Sequence, residues 1–312
     1  MWTASPLFRL KTPSDLQDRD LISAGLSLVQ SIVKEFPDET GGLAHLARLR
    51  TGGRFMDEWH ATAELVGTDW KTVALANISY DCAIIAIGCS TMALATPTGP
   101  ILARNLDWWP EEPLARASLG MWTDKLFAAT WPGFSGVVTG MSKRGFAVAL
   151  NAIELPEKAL PLGYPVLLML RRVLEDAEDF EEAVQLLTKT RLLASCLLTV
   201  VGTENSERVC IERSPTRAAV RRPRGDEPLI TTNDFRLLEE TKTSSSAEIY
   251  KTTCTRFDAL TFLAGHLEGY SDEHLLEALT DQDVVQGITV QHTILRPSTL
   301  EAGVWVPSRH LR

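Results

Sequence analysis

A layered α+β fold built on antiparallel sheet is what the sequence predicts, and three observations carry the prediction. Helical patterning fills most of the first 88 residues, and from residue 84 short apolar or alternating segments follow one another before helices, and then strands, return. Runs of like elements, rather than strict βα alternation, argue against a parallel winding. The turns between the early strand segments are Pro-Thr-Gly-Pro, Trp-Pro-Gly and Lys-Arg-Gly, which suit hairpins. At 312 residues, 45% of them apolar, the chain can bury roughly three quarters of its unfolded surface with no disulfide or structural metal.

Taken in order, Ser14-Asp15-Leu16-Gln17 has the form of a capping box, and Ile22, Leu26, Val29, Ile32 and Val33 recur at helical spacing up to Pro37. Gly-Gly pairs at 41–42 and 52–53 punctuate shorter helices, and Asp69 is placed to cap a last one through Tyr80. Strands are predicted over Ile84 to Thr96, Ile101 to Leu106, Ser135 to Met141 and Phe146 to Ala152. Helices should run from Pro165 to Glu175 and from Phe180 to Lys189, the second with Asp179 as N-cap and Glu182 at the capping-box position. Strands resume at Ser195 to Gly202, Arg208 to Arg213, Arg217 to Arg222 and Leu229 to Thr232. After a polar loop at 241–246, helices are expected at Arg256 to His266 and Asp272 to Thr280, with strands at Val290 to Leu295 and Val304 to Pro307.

Composition removes several function classes. The 31 lysines and arginines against 40 aspartates and glutamates leave a net charge of −9, which repels polyanions and argues against nucleic-acid binding. No apolar run approaches the ~20 residues that span a bilayer, and the first residues lack the basic start and apolar core of a secretory signal. A cytoplasmic protein is therefore expected, in keeping with five cysteines that show no C-x-x-C spacing. Histidines at 45, 60, 266, 274, 292 and 310 have no metal-ligand spacing, so no metal is expected. Nor does any phosphate-binding glycine motif occur, so no cofactor is implied. The amphipathic N-terminal helices could serve a homo-oligomer interface as readily as they cover a sheet.

The residues that point to chemistry are Gly88-Cys89-Ser90-Thr91, followed fifteen residues later by Arg104-Asn105-Leu106-Asp107. By itself a Gly-Cys step in apolar surroundings reads as plain core. A hairpin through Pro97-Thr98-Gly99-Pro100, however, folds Arg104 and Asp107 back beside Cys89, where an arginine favours the thiolate and a carboxylate can hold an amine. Cys82 lacks both the preceding glycine and the hairpin spacing, and Cys196, Cys210 and Cys254 read as small core or boundary residues. His292 is the one histidine placed to be considered as a partner for a cysteine.

This run resembles the active-site hairpin of the cysteine-type N-terminal-nucleophile (Ntn) hydrolases. It is most similar to the acid ceramidase and N-acylethanolamine amidase branch, to which choloylglycine hydrolases and penicillin acyltransferases are related. Asn77-Ile78-Ser79-Tyr80-Asp81, Gly136-Val137-Val138-Thr139-Gly140, Phe146-Ala147-Val148-Ala149-Leu150-Asn151, Thr231-Thr232-Asn233 and Thr255-Arg256-Phe257 resemble further motifs of that branch, in its order. The resemblance implies a four-layer αββα sandwich and a chain that cuts itself between Gly88 and Cys89. It divides the chain into a helical segment, 1–88, and a catalytic region, 89–312, within one structural domain. Cys89 becomes the nucleophile, Arg104 its polarising neighbour and Asp107 the partner of the new α-amine. Asn151 and Asn233 become oxyanion and substrate-positioning groups, and Arg256 a second cation that orders the site. The implied activity is hydrolysis of a linear amide in a small N-acyl amine or amide. An acyltransferase using the same site, and an uncleaved binding protein of the same fold, are the alternatives.

The chemistry is sound on elementary grounds, because an α-amine titrates near ~8 and can take a thiol proton that a peptide nitrogen cannot. Glycine before the nucleophile tolerates the distortion that scission needs. The chain departs from the branch in a slightly shorter hairpin and in Cys-Ser-Thr where Cys-Thr-Ser is usual. Trp108, Trp109 and Trp131, with Trp122, cluster after the hairpin and are candidates for an apolar substrate wall, or equally for core anchors.

Overall fold

The computed structural model describes residues 1–11, 15, 25, 41–82, 87–153, 162–238 and 251–311. Its strands are β1 Trp2–Ala4, β2 Leu7–Arg9, β3 Ile87–Leu94, β4 Ile101–Trp108, β5 Leu119–Trp122, β6 Leu126–Thr130 and β7 Thr139–Ser142. They continue as β8 Phe146–Ala152, β9 Cys196–Val201, β10 Arg208–Arg213, β11 Ala218–Arg221, β12 Leu229–Thr231, β13 Thr289–Arg296 and β14 Glu301–Pro307. The helices are α1 Gly41–Arg50, α2 Met56–Val66, α3 Trp70–Asn77, α4 Ser79–Cys82, α5 Glu111–Arg116, α6 Val166–Asp176, α7 Phe180–Lys189, α8 Thr253–Gly265 and α9 Asp272–Leu279. The capping box expected at 14–17, the helix leading to Pro37, Ile84 and the polar loop at 241–246 lie outside the described residues or nearly so.

The strands form two sheets. One has the order β1-β14-β13-β4-β3-β12, and the other the order β11-β10-β9-β8-β7-β6-β5-β2. Alternate residues of the central strands enter different cores. Ala93 and Leu102 of the first sheet meet Ala147, Ala149 and Leu197 of the second in the space between the sheets. On the outer face of the first sheet, Met92, Leu94, Ile101 and Ala103 pack with Leu260 of α8 and with Leu275, Leu276 and Leu279 of α9. On the outer face of the second, Phe146, Val148 and Leu150 pack with α6 and α7 and with the helices of residues 41–82. The result is the four-layer αββα sandwich.

Local signals account for the elements that position the site. β3 and β4 pair along their whole length, from Leu94↔Ile101 to Ile87↔Trp108, through the Pro-Thr-Gly-Pro turn. Gly99 has φ 100° there, and a Cβ on it would lie 2.0 Å from Ser298 Oγ, so glycine is required on two counts. Asp69 caps α3 by accepting from the Lys71 and Thr72 amides. At the start of α7 the Asp179 carboxylate accepts from the Glu182 amide while the Glu182 carboxylate accepts from the Glu178 amide, a capping box displaced by one residue.

The structure adds to the sequence expectations and corrects one. Besides its helices the N-terminal segment carries β1 and β2, which add an edge strand to each sheet, antiparallel to β14 and parallel to β5 respectively. The β2–β5 pair is the parallel one among the described strand pairs. The strand expected from Ser135 begins only at Thr139, because the Ser135 and Gly136 amides are drawn to Asn77 Oδ1 at 2.6 and 3.0 Å. Finally α5, β5 and β6 fill a stretch with no element assigned from sequence. Among the described residues no helix is long and apolar enough to cross a membrane.

Candidate active site

Residues opposite one another in an antiparallel pair share a face. Cys89 is opposite Leu106 and Thr91 opposite Arg104, so Cys89 and Arg104 both face the second sheet. Gly88 and Asp107, opposite one another, belong to the alternate face, as does Ser90. The spacing of fifteen residues between Cys89 and Arg104 thus places the two side chains diagonally across the hairpin.

There Arg104 Nη2 donates to Cys89 Sγ at 2.6 Å, and the thiol faces the Leu150 carbonyl at 3.4 Å. Cys89 and Arg104 are both fully buried. Burial pushes the Cys89 thiol above its ordinary range, Arg104 pulls it back, Asp107 adds to the rise, and the Ala152 amide and Arg256 oppose it. Burial and the Arg104 guanidinium thus act on the thiol in opposite directions.

β12 pairs with β3 only as far as Thr231↔Thr91. Two residues on, the side chain of Asn233 takes over where backbone pairing stops: its Oδ1 accepts from the Cys89 amide at 3.1 Å, and its Nδ2 donates to the Ala152 carbonyl at 2.7 Å. Arg256, the fourth residue of α8, approaches from the other side of β3. Its Nη1 donates to the Cys89 carbonyl at 2.6 Å and to Ser90 Oγ at 2.9 Å, and its Nη2 to Asn233 Oδ1 at 2.8 Å. Both backbone polar groups of Cys89 are thereby held by side chains.

Asp107 is fully buried beside β13, where Thr289 Oγ1 donates to its Oδ1 at 2.5 Å; its Oδ2 accepts no hydrogen bond. Burial raises its carboxyl above the usual range, opposed by Arg256, Thr289 and Arg104. Asn151 reaches across from β8 of the second sheet. Thr91 Oγ1 donates to its Oδ1 at 2.7 Å and its Nδ2 donates to the Thr231 carbonyl at 3.0 Å, so it ties the two sheets together beside the thiol instead of touching it.

Trp108 and Trp131 meet edge to face, 5.5 Å between ring centres, in the same apolar cluster as Cys89, and Trp131 Nε1 is anchored on the Leu114 carbonyl at 2.7 Å. Trp109 is 45% exposed, and Trp122 packs on Phe127 elsewhere. His292, opposite Asn105 in β13, bonds Asn105 Oδ1 through Nδ1 at 2.7 Å on the face away from the thiol, and burial pushes it down to about 3. It is no partner for Cys89. Sequence reasoning missed Ser90, Thr139 and Thr289, each of which holds a charged group of this cluster. Their signal was a hydroxyl at a buried strand position. Among the described residues no group of His, Cys, Asp and Glu is arranged to hold a metal ion.

The family described as acyl-coenzyme A:6-aminopenicillanic acid acyl-transferase matches residues 94–295, about two thirds of the chain and all of the cluster except Cys89 and its neighbours. The chain belongs to this family. Among the proteins to which it is similar are acid amidases. It is 26% identical over 241 residues to an N-acylethanolamine-hydrolyzing acid amidase of Caenorhabditis elegans, covering 71% of this chain and 66% of that one. With the Rattus norvegicus protein of the same name it is 31% identical over 176 residues, covering 51% and 47%. The chain spans at most about two thirds of the length of these relatives. Its structure is similar to that of the C. elegans ortholog, with a TM-score of 0.58 at 21% identity over 70% of this chain and 100% of the other. That likeness is one of fold.

Proposed function

We propose that this chain cuts itself between Gly88 and Cys89 and then hydrolyses the amide bond of a small N-acyl amine. The observation that carries the reading is the Arg104–Cys89 contact of 2.6 Å beside a buried carboxylate with one oxygen unpartnered. An arginine at that distance stabilises the thiolate, and the vacant acceptor suits an amine.

In the first step Cys89 Sγ bonds to the Gly88 carbonyl carbon and the Gly88–Cys89 C–N bond breaks, the thiol proton passing to the departing nitrogen. Water then hydrolyses the thioester, leaving a Gly88 carboxylate and, on Cys89, a thiol and an α-amine. In turnover that amine accepts the thiol proton while Sγ bonds to the substrate carbonyl carbon. As the substrate C–N bond breaks the proton passes to the leaving amine, and water releases the acid from the acyl thioester. Asp107 holds the α-ammonium, Asn233 donates to the oxyanion, and Arg256 keeps Asn233 and the Cys89 carbonyl in place. Each donor aimed at the oxyanion is worth about 3 kcal/mol. Trp108 and Trp131 line the apolar side. N-acylethanolamines, which the names of the relatives specify, are the substrates to try first.

Intact-mass measurement with a panel of N-acylethanolamines and N-acyl amino acids tests this. Two polypeptides, the larger beginning at Cys89, and release of acid and amine are expected in the wild type and neither in Cys89→Ala. A chain that stays whole on incubation and releases no amine overturns the proposal.

A second reading, acyl transfer, is favoured by the description of the family itself. Here a second amine replaces water at the thioester. Supplying one acyl donor with and without a competing amine separates the two, and exclusive formation of the exchanged amide would establish transfer.

A further inference from the structure

The hydrogen bonds of the Arg104 guanidinium single out Thr139. Nη2 is directed at Cys89 Sγ, Nη1 donates to the Val138 carbonyl at 3.1 Å and to Thr139 Oγ1 at 2.5 Å, and the Nε hydrogen has no acceptor. The fork is therefore anchored, away from the thiol, by residues 138 and 139 alone. Of these only Thr139 contributes a side chain. Its neighbours across β6 and β8 are Ala129 and Ala149, too small to prop the guanidinium. A planar fork held at one terminal nitrogen by two acceptors has its other terminal nitrogen aimed; remove one acceptor and the plane is free to turn.

We propose that Thr139 is a positioning residue of this site: its hydroxyl fixes the Arg104 fork so that Nη2 points at Cys89 Sγ, and so governs how readily the thiol ionises. The inference rests on the reading of Cys89 as nucleophile. The charged groups that face Cys89 are Arg104 and Asp107 from β4 and Arg256 from α8; β8 presents to it only the Leu150 carbonyl and the Ala152 amide, and the segment after β12 the neutral Asn233. Of the two cations, Arg104 is the one that reaches the sulfur, so its aim sets how far burial of the thiol is offset.

The test is the ionisation midpoint of Cys89, read as thiolate ultraviolet absorbance over a range carried well into the alkaline, as far as each variant stays folded, each variant against its own Cys89→Ala partner to subtract the other cysteines. Thr139→Val keeps shape and branching but removes the hydroxyl, and should raise the midpoint by about one pH unit. Thr139→Ser restores the hydroxyl and should titrate like the parent. If Thr139→Val does not fold, Thr139→Ala takes its place and should lie above Thr139→Ser by a similar interval. A midpoint unmoved by losing the hydroxyl, or moved equally by Val and Ser, overturns the inference and leaves Thr139 as an ordinary strand residue. The readout needs neither self-cleavage nor turnover. A protein that releases no amine but shows the shift thus retains the positioning role while losing the amidase reading, and an active amidase without the shift does the reverse.

Discussion

Asp107 lies directly opposite Gly88 across the β3–β4 pair, with one carboxylate oxygen held by Thr289 and the other without a hydrogen bond. The residue before the expected cut and the carboxylate expected to receive the new amine are thus register partners. In the intact chain the Cys89 nitrogen is a peptide amide engaged with Asn233 Oδ1.

If the α-amine is held by Asp107, Asp107→Asn removes the charge that favours its ammonium form while keeping the Thr289 contact. Amide hydrolysis by the cut protein should fall by about two orders of magnitude, with the folded state retained. Initial rates of amine release and a circular dichroism melt check the two halves of this expectation.

Asn233 satisfies the Cys89 amide, the Ala152 carbonyl and part of Arg256. Asn233→Ala leaves those buried groups unpaired and should cost about 1–3 kcal/mol of stability in addition to activity. Urea unfolding with the midpoint and slope compared with wild type reads the loss.

Asn151 predicts a different outcome, since its contacts are Thr91 and the Thr231 carbonyl and not the thiol. Asn151→Ala should also cost about 1–3 kcal/mol, but with the Cys89 ionisation midpoint unmoved. A midpoint shift as large as that of an Arg104→Met variant would show that Asn151 acts on the thiol.

Asp81 is buried, its carboxylate accepting from the Val166 amide at the start of α6, and burial raises it to about 7. Between the ordinary carboxylate range and pH 7 the folded state therefore holds a proton that the unfolded state has lost. The stability this confers is fully present below the unfolded value and disappears as pH rises through about 7. Asp81→Asn should remove that trend, so that thermal midpoints of wild type and variant, measured from pH 4 to 8, separate increasingly against the wild type as pH rises.

The β3–β4 hairpin was legible in the sequence because its turn carries Pro-Thr-Gly-Pro and its strands carry apolar residues, and with it came the approach of Arg104 to Cys89. α6 and α7 were legible from helical periodicity and the Asp179 cap. β5 and β6 were not, because Leu119–Trp122 and Leu126–Thr130 are buried almost throughout and show no alternation to read. β1 and β2 are three-residue edges whose partners lie far along the chain, so nothing local announces them. In the site, Asn233 and Arg256 came from resemblance to a family, and the structure brings both to the Cys89 backbone. Thr139 and Thr289 escaped notice because a threonine in a strand is an ordinary β-former until its distant partner is known.

Those two short edge strands have a mechanical meaning. Residues 1–9 clasp the free margin of each sheet, one on β14 and one on β5, while Trp59, Val73 and Tyr80 further along the same segment are embedded in the core cluster that contains Cys89. Severing the backbone at residue 88 would leave this segment fastened at β1, at β2 and in the core cluster, all away from the scissile bond. Dilution should not separate the halves, and only denaturant should. The nucleophile would then work within a two-chain body whose parts were never given a reason to leave.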